Sequence, residues 1–318
     1  MQNKLKIGLE IHGYIDSKEK LFCRCSTEYD AGTINKNICP ICCGYPGAKP
    51  MLPNKEALDK VIKIALMLNC SINSDKAIVW QRKHYDWPDL PKGYQNTMSG
   101  SYSVPIGEKG KFLDIGIKEV HLEEDPAAWD PQTGCVDYNR SGLPLVEIVT
   151  EPDFNNAEYL EEWLKNLVIA LSYLKTLNKK LGIKADVNIS YSGGERVEVK
   201  NLNSISNIIA AVRYEEVRQK KEKAERETRR FDEKKGITIK MRSKELAEDY
   251  RFIPDPDLPI VKISRKTFIE LKKNIPESPM EKLEKLKKKH KLDEKSAQIL
   301  ARNLDIVEFF EKVAEKTD

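Results

Sequence analysis

KIGLEI at residues 6–11, KFLDIGI at 111–117 and LPLVEIV at 143–149 are the stretches on which the fold turns. Each is a short apolar run between turn-forming residues, as is AIVWQ at 77–81, and such runs mark strands. Helical spacing of apolar residues appears at 54–68 (NKEALDKVIKIALML) and at 156–174, where Asn155 or Asn156 supplies the cap. KADVNISY (184–191) and GERVEVKN (194–201) read as a strand pair around Ser192-Gly193-Gly194. A long helix from about 203 to 227 ends in the charge-dense RQKKEKAERETRR, and GITIKMRS (236–243) returns to strand. Strands that arrive in runs, without strict helix alternation, predict an α+β fold with a large, mostly antiparallel sheet.

DYRFIPDPDLPIV at 249–261 has three prolines in six residues, which excludes a regular element and marks the end of the main domain. The chain therefore divides into a main domain over 1–268, with a cysteine-rich segment at 21–46, and the start of a helical, Lys-rich domain at 269–318. The 318 residues, 40% hydrophobic and 33% charged, suit an ordinary globular protein. No apolar stretch approaches a bilayer span and the N-terminus lacks a signal-peptide core, so a cytoplasmic protein without membrane contact is expected. Residues 261–318 hold 15 Lys/Arg against 11 Asp/Glu and so carry the whole net charge of +4. The Lys-rich run at 282–295 is either a solvated helix face or a phosphate-contacting surface.

Five of the seven cysteines fall between Cys23 and Cys43. Cys23-x-Cys25, thirteen residues, then Cys39-Pro-x-Cys42 is a knuckle-like pattern that suits a closed, structural Zn²⁺ site. Cys43 is the substitute ligand if Cys42 is not used, and buried thiols without metal are the alternative. Glu10 and His12, two apart on the first strand, point to one face. His121-Leu122-Glu123-Glu124-Asp125 crowds three carboxylates at a segment end, and Glu147 stands inside an apolar strand, where it needs a partner or a cation. Oxygen-rich ligands with one imidazole suit Mg²⁺ or Mn²⁺; salt bridges to Arg140 or Arg82 are the plainer reading. The stretch from Trp80 to Gln95 packs cations, aromatics and prolines into a rigid loop fit to grip phosphates and stack a base.

Together these constellations resemble one family, the B subunits of glutamyl/aspartyl-tRNA amidotransferases. The matching stretches are IGLEIH (7–12), LFCRCST (21–27), CPIC (39–42), YPGAKPMLPN (45–54), DLPKGYQ (89–95), HLEED (121–125), VDYNRSGLPLVEIVTEPD (136–153), EVKNLNS (198–204), ETRRFDE (227–233), MRSKE (241–245) and DYRFIPDPDLP (249–259), in family order. The resemblance implies a cradle-like catalytic domain followed by a helical one. It also implies that ATP phosphorylates the side-chain carboxylate of a mischarged Glu-tRNA or Asp-tRNA. Ammonia from a partner amidase (the A subunit of a heterotrimer whose third member is a small C subunit) then displaces the phosphate. On the same grounds the cation falls to His12, Glu124 and Glu147, with Glu10 close by. Lys83 and Asp186 fall near the reaction centre, and Tyr85, Lys92, Tyr94 and Gln95 fall in the nucleotide pocket.

Lys184-Ala185-Asp186 departs from the family's usual Arg-Cys-Asp, Asp86 replaces an aromatic, and Pro126-Ala127-Ala128 follows HLEED where Gly is common. The family also continues through a complete helical domain and a tail that touches tRNA, whereas this sequence ends at Asp318. Two other readings stand beside this one: a zinc-stabilised RNA-binding scaffold without catalysis, and an ATP-dependent ligase for a free small acid. No Ser-Ser-Lys arrangement in a Gly/Ser-rich tract is present, so ammonia is not expected to be made by this chain.

Overall fold

The computed structural model describes residues 5–29, 32–74, 76–243 and 250–316. Its frame is a 12-stranded sheet. In chain order the strands and first helices are β1 (Leu5–Tyr14), α1 (Lys55–Met67), β2 (Ser71–Ile72), β3 (Gln81–His84), β4 (Gln95–Thr97), β5 (Gly107–Phe112), β6 (Ile115–Glu124), β7 (Ala128–Trp129), β8 (Val136–Asp137) and β9 (Pro144–Thr150). There follow α2 (Ala157–Leu174), β10 (Ile183–Tyr191), β11 (Val197–Leu202), α3 (Ile205–Lys221), β12 (Glu227–Asp232), β13 (Ile237–Ser243) and β14 (Arg251–Pro254). The main path runs β13-β12-β11-β10-β1-β9-β6-β4-β3-β14, with β5 and β2 branching from β6 and β7–β8 forming a separate pair. Every pairing is antiparallel except β11–β12, which α3 connects.

The α+β class is thus as the strand runs predict. Alternation on β1 shows why the sheet has two unlike faces. Ile7, Leu9 and Ile11 are buried, while Glu10 and His12 point the other way. Val146 and Ile148 on β9, and Ala185, Val187 and Ile189 on β10, extend the apolar face, which α1, α2 and α3 cover. Trp163 of α2 anchors the layer, wedged against Phe112 and Phe154, with its indole N–H donating to the Phe112 carbonyl at 2.9 Å. Asn54 and Asn156 cap α1 and α2 by accepting the Ala57 and Tyr159 amides.

Two local expectations change. The helix after residue 203 stops at Lys221, because the chain reverses there and ETRRFD becomes β12, parallel to β11. The proline-rich stretch does form a strand: β14 pairs with β3 at the sheet edge, where Pro254 ends the strand and its missing N–H costs no ladder bond. Lys244 and Glu245 of the MRSKE stretch lie outside the described residues.

Beyond Val261, α4 (Arg265–Lys273) adds Leu271 to the main core. The helices α5 (Pro279–His290), α6 (Glu294–Leu300) and α7 (Leu304–Ala314) then build a separate small core on Leu286, Ala297, Ala301 and Val307. A capping box between Ser278 and Glu281 starts α5. This unit meets the main one where the Tyr173 hydroxyl donates to the Ala301 carbonyl at 2.7 Å and Lys175 pairs with Asp305. Among the described residues no helix is long and apolar enough to cross a membrane.

Candidate functional site

The face of the sheet opposite the helices gathers charge. Register places His12 and His121 on either side of Glu147, and Glu10 beside Asp186. Neighbouring strands thereby bring groups more than a hundred residues apart in the chain into contact. His12, Glu123 and Glu147 each offer a ligand atom within 4.8 Å of the others. Glu147 Oε2 takes both imidazoles, His12 Nε2 at 3.3 Å and His121 Nε2 at 3.1 Å. Burial alone would raise the Glu147 pKa, but His121 and His12 outweigh it and hold the carboxyl well below its usual range. Burial would likewise lower His12, yet the Glu147 charge and hydrogen bond push it up to about 9. Burial and the neighbouring Glu147 raise Glu123, against the opposing charges of His121, His12 and, least, Lys83. Neither Arg140 nor Arg82 reaches Glu147: Arg140 pairs with Asp125, and Arg82 with Asp255 and Asp257.

The acid that joins His12 and Glu147 is Glu123, and Glu124 is turned to the other side. Val120 and Leu122 enter the core, so 119, 121 and 123 share the polar face and 124 does not. Glu124 Oε1 instead accepts the Lys92 ammonium and the Asn96 backbone N–H. Glu10 stands with Asp186 and Glu198 in a second acidic group. Burial, then Glu147, Asp186 and Glu198, raise the Glu10 pKa, while Asn188 donates to it at 2.9 Å. Lys200 lies 3.7 Å from both Asp186 and Glu198.

Lys83 and Asp186 stand five strands apart in the sheet order and make no direct contact. Tyr250, just before β14, lies under the Lys83 ammonium at 4.7 Å and contributes to the field at Lys200. Of the loop residues, Tyr85 sits with Lys83 and edge-on to Tyr250. Tyr94 lies under the Arg82 guanidinium at 4.5 Å, and the Gln95 amide donates to the Glu124 carbonyl at 2.9 Å. Sequence reasoning carried Glu123 and His121 only as members of the HLEED cluster, and it did not single out Glu198, Lys200 or Tyr250. The phase of β6, fixed by Val120 and Leu122, was the signal for the first two.

The cysteines converge as their spacing predicts. The Sγ atoms of Cys23, Cys25, Cys39 and Cys42 all lie within 4.8 Å of one another, and Cys43 stands outside the group. A tetrahedral zinc with bonds of about 2.3 Å needs sulfurs roughly 3.8 Å apart, and Cys39 Sγ–Cys42 Sγ is 3.9 Å. Zinc fits this cluster. A hydrogen bond from Cys23 lowers the Cys42 thiol to about 4, ready to act as a thiolate. The knuckle leans on the 89–95 loop at Gly44, whose positive φ and tight fit leave no room for a Cβ against the Pro91 carbonyl.

A family model described as the GatB/GatE catalytic domain matches residues 5–269, the span that holds both acidic groups and the cysteine cluster. The chain belongs to this family. It is 50% identical to the B subunit of the aspartyl/glutamyl-tRNA(Asn/Gln) amidotransferase of Methanocaldococcus jannaschii, over 98% of this chain and 66% of that protein. The same-named proteins of Methanococcus vannielii and Methanothermobacter thermautotrophicus are 48% and 46% identical, over 97% and 99% of this chain and 67% and 70% of theirs. The chain thus spans about two-thirds of the length of the first relatives it matches.

Proposed function

We propose that this chain supplies the phosphorylating and amidating site of a tRNA-dependent amidotransferase, acting on Glu-tRNA(Gln), Asp-tRNA(Asn) or both. The observation that carries this reading is the His12–Glu123–Glu147 group, set on the polar face of a family member. A carboxylate is a poor acyl electrophile. Its oxygen attacks the γ-phosphorus of ATP, ADP leaves, and the acyl phosphate then loses phosphate as ammonia attacks the carbonyl carbon. Such a reaction asks mainly for positioning and charge neutralisation.

His12, Glu123 and Glu147 would hold Mg²⁺ or Mn²⁺, and Glu124 would anchor Lys92 and the 89–95 loop. The bound cation would neutralise phosphoryl oxygens. Lys83 is suited to bind those oxygens, and Asp186 to fix the far side of the face through Lys200. Tyr85 is the best placed of Tyr85, Lys92, Tyr94 and Gln95 to meet a nucleotide from this side. Cys23, Cys25, Cys39 and Cys42 would hold structural zinc, bracing the nucleotide loop through Gly44. Ammonia would come from a separate amidase chain, and a third, small chain would complete a heterotrimer in the cytoplasm.

The test is ADP formation by the protein with its partner subunits, with and without mischarged tRNA. Turnover that requires the tRNA supports the reading. Turnover indifferent to tRNA indicates a ligase for a free acid, and none indicates a scaffold.

A further inference from the structure

The second acidic group is built differently from the first. Each of its carboxylates has one oxygen engaged by a neighbouring donor. Asn201 N–H donates to Asp186 Oδ1 at 2.7 Å, the Thr228 hydroxyl to Glu198 Oε2 at 3.2 Å, and the Asn188 amide to Glu10 Oε1 at 2.9 Å. The other oxygens of Asp186 and Glu198 face a shared ammonium, Lys200 Nζ, 3.7 Å from each. Lys200 reaches this position from β11, the strand that also carries Glu198, two residues away on the same face. In the first group the corresponding neighbours of Glu147 are imidazoles, which serve as ligands once neutral.

We propose that Lys200 is the resident cation of the Glu10–Asp186–Glu198 group, so that this face takes one divalent ion and not two. A divalent ion placed among the three carboxylates would face the ammonium at close range, and repulsion between them excludes it. The lysine supplies a fixed positive charge where a two-metal enzyme would place its second ion. It acts as a positioning residue, keeping Asp186 and Glu198 turned inward. The inference rests on the reading of the first group as a cation site, and its test separates the two.

The measurement is Mn²⁺ stoichiometry by electron paramagnetic resonance on zinc-loaded protein, for the wild type, Lys200→Arg and Lys200→Met. One Mn²⁺ in the wild type and in Lys200→Arg, rising to two in Lys200→Met, is expected. Two in the wild type, or no gain in Lys200→Met, overturns the proposal. No Mn²⁺ in the wild type would sink the reading of the first group alone; a gain of one in Lys200→Met would still support the role of the lysine. If Lys200→Met does not fold, Lys200→Gln, which keeps a donor without the charge, carries the same comparison.

Discussion

Glu123 and Glu124 are adjacent on β6 and face opposite sides of the sheet, so the same substitution should have unlike effects at the two positions. Glu123→Gln removes a charge from the His12–Glu147 group; Mn²⁺ affinity should fall by at least ~10-fold and phosphorylation by ~10²-fold or more. Glu124→Gln should leave Mn²⁺ affinity unchanged, because that carboxylate is spent on Lys92 and the Asn96 amide. It should instead lower stability by about 1–3 kcal/mol, the cost of leaving the half-buried Lys92 without its counter-charge. Titration with Mn²⁺ and thermal melting of both variants check this, and the reverse pattern would return the ligand role to Glu124. Cys39→Ser should reduce zinc from about one per chain to none and lower Tm, since a closed four-sulfur site contributes to folding outright. Elemental analysis of protein purified without chelators is the measurement.

At the scale of elements, the edge formed by α3, β12 and β13 carries a cluster of partly buried ion pairs beside its apolar contacts. Glu227 meets Arg218, Arg229 and Lys240 at 3.1, 2.9 and 3.0 Å. Burial alone would raise its pKa, but hydrogen bonds from Lys240 and Arg229 win and lower it from the ordinary 4.5. A depressed carboxylate contributes stability that is present above the unfolded value and lost as pH falls through the folded one. Amide-exchange protection of β12 and β13 should therefore hold above pH 4.5 and weaken below it. Glu227→Gln should lower protection at neutral pH and remove this contribution to its pH dependence. Protection that tracks pH identically in the variant would place the acid-sensitive group elsewhere.

At the scale of the molecule, the Lys-rich tail is less available than its charge suggests. Lys287 pairs with Glu294 at 2.5 Å, Lys288 with Glu284 at 3.0 Å and Lys289 with Glu315 at 3.4 Å. Such exposed pairs contribute little stability, but each of these three lysines already faces a carboxylate that a phosphate would have to displace. Replacing Lys287, Lys288 and Lys289 by Ala should leave both tRNA affinity and its salt dependence in place. A flatter salt dependence would mean that counterions are released here and that the run is a phosphate surface after all.

The sequence by itself determined the strand runs, the helices at α1 and α2 with their asparagine caps, and the cysteine cluster. Each of these follows from local periodicity or spacing. The chain also carried the family resemblance in full, since motif order is a property of sequence alone. Tertiary structure decided what local pattern cannot reach. Strand pairing set Glu123, and not Glu124, beside His12 and Glu147, because which side of β6 is polar depends on where Val120 and Leu122 find a core. It gave Glu147 two histidine partners from β1 and β6 in place of the arginines, since only register reveals which side chains stand opposite each other. It also set Lys200 between Asp186 and Glu198, a charge balance formed across β10 and β11 that neither segment shows alone.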